Sequence, residues 1–80
     1  MEREEPSGQA YHKRSFTLHG HRTSVALERA FWDALEVAAA SQGIPLIHLI
    51  KKIDESRTGS LSSALRLYAL EFAMERSVLK

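Results

Sequence analysis

Basic and imidazole side chains concentrate in one segment of the chain, residues 11–27. This segment has three Lys or Arg and three His side chains but no Asp or Glu. Residues 1–10 carry three acids and one base, and residues 28–80 carry seven charges of each sign, so the positive excess lies in this segment. Such a segment is either a solvated tail or a surface that attracts nucleic-acid phosphates. Its cations and histidines are Lys13, Arg14, Arg22, His12, His19 and His21.

The three histidines offer a second chemistry, because imidazole nitrogen is a common metal ligand. His19 and His21 lie on one face if their segment is extended. The chain has no cysteine, and no carboxylate stands beside these residues in the sequence. A zinc site built from His12, His19 and His21 is therefore an alternative only, and we expect no metal and no cofactor.

The sequence contains no motif typical of an enzyme. It shows neither a nucleophile paired with a base nor a Gly-rich phosphate loop. No apolar run approaches the roughly 18 residues of a membrane span, and residues 1–6 lack the features of a signal peptide. The sequence predicts a cytoplasmic protein that is not an enzyme and has no membrane partner.

One short strand is predicted at residues 22–27, where side chains alternate in character. A strand sends successive side chains to opposite faces, so one face is apolar or β-branched and the other is small and polar. The first face suits a core, and the second faces solvent. The inward residues are Thr23, Val25 and Leu27, and the outward residues are Arg22, Ser24 and Ala26.

This strand has no obvious partner of similar quality, and an unpaired strand leaves its backbone polar groups without hydrogen bonds. Residues 14–18 also alternate and could fold back on it, but Gly20 between two histidines is a weak turn signal. The other solution is a twofold dimer, in which residues 22–27 of two copies pair antiparallel. The sequence therefore favours an intertwined homodimer with an intermolecular two-stranded ribbon.

Three helices follow the strand, because apolar residues recur there at intervals of three and four. Gly43 is suited to end the first helix, Pro45 to begin the second, and Ser60 to cap the third. The third helix is apolar on most of its sides, which a second copy could cover. The predicted helices span residues 28–42, 45–56 and 60–77.

These elements predict a mainly α domain with one short strand over residues 14–80. Residues 1–13 contain Pro6, Ser7 and Gly8 without periodicity, which predicts a flexible N-terminal arm. A small chain without disulfides often gains stability by oligomerising.

Residues 22–35, RTSVALERAFWDAL, followed by Gly43 and a second helix, resemble the ribbon-helix-helix family of DNA-binding proteins, to which Arc and MetJ belong. The stretches GHRTSV, FW and LSSALR, which begin at Gly20, Phe31 and Leu61, are similar to a bacterial subgroup of small ribbon-helix-helix proteins. The resemblance covers about residues 14–70. It implies an obligate dimer that binds double-stranded DNA and regulates transcription.

On the outward strand face, Arg22 could bond guanine, Ser24 several base edges, and Ala26 a thymine methyl group. The family also places the start of its second helix against a phosphate through backbone N–H groups, here at Ile44 and Leu46. Expected DNA-backbone contacts are Lys13, Arg14, His21, Ile44 and Leu46, and the expected dimer core is Val25, Leu27, Phe31, Leu35, Ile50 and Leu65.

A second function remains open, in which the same dimer is an antitoxin-like or adaptor-like interaction module with weak or no DNA binding. It would bind a protein partner through the third helix. The short outward side chains Ser24 and Ala26 favour this alternative, as does the apolar start of the second helix at residues 44–46.

Overall fold

In the computed structural model, the described residues are 11–78. They form a two-stranded antiparallel ribbon followed by three helices. The fold is therefore mainly α, but it has two strands where the sequence predicted one. The elements are β1 (Tyr11–Leu18), β2 (His21–Glu28), α1 (Arg29–Gln42), α2 (Leu46–Ser56) and α3 (Leu61–Val78).

The two strands form a hairpin within one chain. The two loop residues, His19 and Gly20, have φ angles of 52° and 81°, as a type I′ turn requires, and this turn matches the twist of paired strands. Glycine adopts such angles freely, and His is one of the few other residues that enter this region with some frequency. The expectation that residues 22–27 have no partner in their own chain is therefore wrong, and strand pairing needs no second copy.

The strand β1 is also longer than its sequence pattern suggested. Tyr11 lies opposite Glu28, and Leu18 lies opposite His21, so pairing extends over all eight residues of each strand. Residues 11–13 therefore belong to the ribbon and not to the predicted arm. The first ten residues of that arm lie outside the described part of the chain.

The helices agree with their predicted ranges to within one residue at each end. Gly43 ends α1 with a left-handed φ of 70°, and its N–H donates to the carbonyl oxygen of Ala40 at 3.0 Å. The Ser60 side chain caps α3, since its Oγ accepts a 3.1 Å hydrogen bond from the Ser63 N–H. Among residues 11–78, no helix is both long and apolar enough to cross a bilayer.

A single apolar core lies between the inner face of the ribbon and the three helices. Val25 and Leu27 enter it from β2, and Trp32 enters it from α1 with only 1% of its surface exposed. Burying such side chains contributes about 1.5–3 kcal/mol each, which fixes the inner face of the ribbon and leaves the other to solvent. The largest fully buried side chains are Trp32, Leu27, Leu35, Leu49, Ile50 and Leu65.

Candidate nucleic-acid interface

The solvent-facing side of the ribbon is the candidate site. Residues directly opposite one another in an antiparallel pair point to the same face. Ser15 lies opposite Ser24, and their hydroxyl oxygens are 3.0 Å apart. We call six exposed residues of this side the ribbon face: Lys13, Ser15 and Thr17 from β1, and Arg22, Ser24 and Ala26 from β2. Tyr11 is also exposed on this side, at the end of the ribbon opposite Glu28.

Arg22, Ser24 and Ala26 are exposed on one side of β2, as the alternation predicted. The sequence reasoning missed Ser15 and Thr17, which the hairpin brings beside them. The alternation of residues 14–18 could have revealed them, had the His19–Gly20 turn been recognised.

Arg14 points to the inner side of the ribbon, away from the ribbon face. It pairs across the ribbon with Val25. Its Nη1 donates to Glu36 Oε2 at 2.8 Å, and its guanidinium lies 4.7 Å from the centre of the Trp32 ring. These contacts hold Arg14 against α1, so the ribbon face contains Lys13 but not Arg14.

The histidines occupy three separate places in the hairpin. His12 lies opposite Leu27, and His21 lies opposite Leu18. His19 is in the turn, where its Nε2 lies 3.6 Å from Asp54 Oδ2 near the end of α2. The turn thus interrupts the extended arrangement that would have aligned His19 with His21. Within residues 11–78, no group of three or more His, Cys, Asp or Glu side chains could hold a metal ion.

The start of α2 offers fewer free N–H groups than the sequence suggested. The Ile44 N–H donates to the carbonyl oxygen of Ala39 at 3.1 Å, which belongs to the capping pattern around Gly43. Pro45 has no N–H. The Ile44 N–H thus already has a partner within the chain, and its expected phosphate contact stays a prediction. Leu46 retains its expected role as a proposal only.

One carboxylate lies at the end of the ribbon, and it is held by a cation of α3. Glu28 Oε1 accepts a 3.2 Å hydrogen bond from Arg66 Nε. A hydrogen bond from its own backbone lowers the pKa of Glu28, and Arg66 lowers it further by hydrogen bonding and by charge. The ionised carboxylate is therefore matched by Arg66, and the six residues of the ribbon face carry two cations and no acid.

Five of the six residues expected in a dimer core are buried within the single chain. Phe31 is half-buried, and the Arg66 guanidinium lies 5.8 Å from its ring centre. The packing of all six residues across a dimer interface stays a prediction. The five buried residues are Val25, Leu27, Leu35, Ile50 and Leu65.

Comparisons with known proteins agree with this geometry. A family model described as a ribbon-helix-helix domain matches residues 11–73. A solved structure, that of an uncharacterized protein from Bordetella pertussis Tohama I, is similar with a TM-score of 0.77 and 31% sequence identity. The alignment covers 94% of this chain but only 65% of that chain, so this chain spans less than two thirds of that protein. No curated protein matches the chain.

Proposed function

Because the chain belongs to the ribbon-helix-helix domain family, we propose that it binds double-stranded DNA sequence-specifically as a homodimer and regulates transcription. Members of this family generally bind DNA and regulate transcription, and they are typically not enzymes. The proposal extends this general property to particular residues of the present chain.

The ribbon face is the observation that carries the proposal. A two-stranded antiparallel ribbon has the width that the major groove of B-DNA admits. Arg22 can donate two hydrogen bonds to guanine O6 and N7, while Ser24 and Ser15 can bond several base edges. Ala26 can contact a thymine methyl group, so the face combines one long donor with short side chains that allow close approach.

Lys13 and Arg22 lie toward opposite ends of the ribbon face, with the Ser15–Ser24 pair between them. An exposed ammonium group at the margin of a ribbon suits phosphate contact, which adds affinity without sequence preference. We assign Lys13 to a phosphate and Arg22 to a base. His21 and the Leu46 N–H are further proposed backbone contacts.

The sequence predicted that the homodimer pairs the strands of two copies, but the proposed homodimer brings together two complete ribbons. Since β1 and β2 pair within one chain, each copy can present a complete ribbon of its own. A twofold dimer would then present two ribbons to two half-sites, whose separation on the duplex follows from the protein's symmetry.

A gel shift with fragments of bacterial genomic DNA at two salt concentrations tests the proposal. The wild type should retain particular fragments, and higher salt should weaken binding. Arg22→Ala should weaken specific binding by about 1–3 kcal/mol and relax preference at one base pair. Arg76→Ala is the matched control, because it removes the same charge from α3. An Arg22→Ala protein with full affinity and unchanged preference would contradict the base assignment.

A second candidate function is a dimeric interaction module, antitoxin-like or adaptor-like, that binds a protein partner through α3. The exposed apolar side chains of α3, Leu67, Leu70 and Met74, favour it. The gel shift separates the two functions, because a module of this kind retains no DNA fragment at either salt concentration.

A further inference from the structure

An open groove of about 550 Å³ lies between α2 and α3, and none of its lining residues belongs to the ribbon face. Small-molecule sites typically have volumes of about 300–1,000 Å³ and are mostly apolar, with a few placed polar groups. Apolar and aromatic side chains of both helices line this groove: Leu49 and Ile53 from α2, and Ala64, Leu67 and Tyr68 from α3. The groove therefore has the volume and the lining of a small-molecule site.

The floor of the groove is fixed, whereas part of its wall is open to solvent. Leu49 and Ile53 are only 1% and 7% exposed, because they belong to the core of the chain. Leu67 also lines the groove and is 58% exposed. A ligand with an apolar body would cover Leu67, and the removal of that apolar surface from water favours binding.

Two cations line the groove, Lys52 and Arg57, and they differ in their contacts. Arg57 Nε donates to Asp54 Oδ1 at 2.6 Å, and Arg57 Nη1 donates to the carbonyl oxygen of Gly59. The charge of Arg57 is therefore matched by Asp54. Lys52 is exposed, and within residues 11–78 its ammonium group takes part in no ion pair. An anionic group of a ligand would thus find its counter-charge at Lys52.

The two ends of the groove differ in charge and polarity. Lys52 lies about one helical turn before Ser56, at the end where α2 and α3 are connected, and Thr58 and Ser63 add hydroxyl groups to this end. Glu71 lines the opposite end. Ser63 and Glu71 are separated by about 12 Å along α3. One anionic group fits the Lys52 end, whereas a second one at the far end of an extended ligand would be repelled by Glu71.

We propose that the groove between α2 and α3 binds an amphipathic monocarboxylate with an extended alkyl chain about 12 Å long. The carboxylate lies beside Lys52, and the alkyl chain runs past Leu67 toward Tyr68. The ligand is a single dissolved molecule, since attachment to a lipid surface takes several basic residues or a lipid anchor. The inference rests neither on DNA binding nor on a second copy of the chain.

Isothermal titration calorimetry of the full chain with decanoate, below the concentration at which decanoate forms micelles, tests the head-group contact. The wild type should show saturable binding. Lys52→Ala should raise the Kd about tenfold, because one hydrogen bond to a charged group is lost. Lys51→Ala is the matched control, since Lys51 is the adjacent cation of α2 and does not line the groove. Absence of saturable binding, or equal Kd values for the wild type and Lys52→Ala, would overturn the inference.

A second pair of variants tests the position of the alkyl chain. Leu67→Ser should raise the Kd for decanoate about fivefold, because the alkyl chain loses an apolar contact. Leu70→Ser is the control, since Leu70 is 50% exposed on the same helix but does not line the groove. Both side chains are exposed, so the circular dichroism spectrum should not change in either variant. Equal losses of affinity in the two variants would contradict the proposed position of the chain.

Sebacate tests the charge at the far end of the groove, because it has the chain length of decanoate and a carboxylate at both ends. The wild type should bind sebacate about tenfold more weakly than decanoate, since the second carboxylate meets Glu71. Glu71→Gln should recover much of the sebacate affinity and leave the Kd for decanoate unchanged. Sebacate binding as tight as decanoate binding in the wild type would contradict the preference for a single anion.

Vesicles of phosphatidylglycerol distinguish a dissolved ligand from a lipid surface. The wild type should remain in the supernatant when these vesicles are sedimented. Sedimentation of the wild type with the vesicles, lost in Lys52→Ala, would assign the groove to a membrane surface and contradict the proposed ligand. All of these measurements are free of DNA, so a negative result concerns the groove alone and leaves the proposed function standing.

Discussion

The indole N–H of Trp32 donates a 2.7 Å hydrogen bond to the backbone carbonyl oxygen of His12, and this bond joins α1 to β1. The indole is almost fully buried. The Arg14 guanidinium lies over its ring, and the Phe16 ring centre is 6.0 Å from that of Trp32. Trp32 therefore fixes the strand that completes the ribbon, although it lies on the side away from the ribbon face.

Trp32→Phe should lower the free energy of unfolding by about 1–3 kcal/mol, because the His12 carbonyl loses its indole donor and the smaller ring leaves space. Urea denaturation measures the change. His12→Ala is the control: it keeps the backbone carbonyl and removes only an exposed side chain, so its effect should stay within about 0.5 kcal/mol. If both variants lost equal stability, the hydrogen bond would not be the cause.

A disulfide can report whether the ribbon forms within one chain. Ser15 and Ser24 lie directly opposite each other with hydroxyl oxygens 3.0 Å apart, and the chain has no cysteine. In the double variant Ser15→Cys, Ser24→Cys, oxidation should close a loop within one chain, since the cross-strand separation suits a disulfide. Non-reducing electrophoresis should show a monomer that runs faster than its reduced form. A covalent dimer would instead indicate strand exchange between copies.

The helices and the two faces of β2 were predictable because they depend on short-range periodicity. Apolar residues at intervals of three and four predicted α1, α2 and α3. The alternation along β2 predicted that Val25 points inward and Ser24 outward. The hairpin was missed because its turn lacks the usual Asn-Gly or Asp-Gly pair. His19 adopts a left-handed φ that few residues other than glycine enter, and Gly20 alone was a weak signal.

Lys13 and Arg14 are adjacent cations on opposite faces of β1, and they should affect DNA binding differently. Lys13→Ala should reduce the slope of log affinity against log salt by about one unit, as expected for one lost phosphate contact. Arg14→Ala should leave that slope unchanged, because its guanidinium is held by Glu36 and Trp32. Fluorescence anisotropy on one retained fragment measures both slopes. Equal losses would place both cations at the DNA.

The hydrogen bond made by the Ile44 N–H could have been anticipated from the sequence. Gly43 was expected to end α1 in a left-handed conformation, and that capping pattern uses the N–H of the next residue to bond a carbonyl of the last helical turn. Ile44 makes this bond with Ala39. The contacts of Arg14 with Glu36 and Trp32 were less accessible from the sequence, since they depend on β1 packing against α1 through the same face as Phe16.

Glu28 should make stability sensitive to acid. Its pKa is lowered from 4.5 in the folded chain, first by a hydrogen bond from its own backbone and then by Arg66. A carboxyl group with a lowered folded-state pKa stabilises the fold fully above its unfolded pKa, and the contribution is lost as the pH falls through the folded value. Urea midpoints measured from about pH 6 down to about pH 3 should therefore fall more steeply for the wild type than for Glu28→Gln.

Arg66→Gln isolates the contribution of the guanidinium, because it keeps the backbone hydrogen bond of Glu28. Its acid dependence should lie between those of the wild type and Glu28→Gln, since the backbone hydrogen bond, the largest single cause of the lowered pKa, and a hydrogen bond from Tyr11 remain. Parallel midpoint curves for all three proteins would show that the Glu28 carboxylate does not contribute to folding. If Arg66→Gln matched Glu28→Gln, the guanidinium would account for the whole effect.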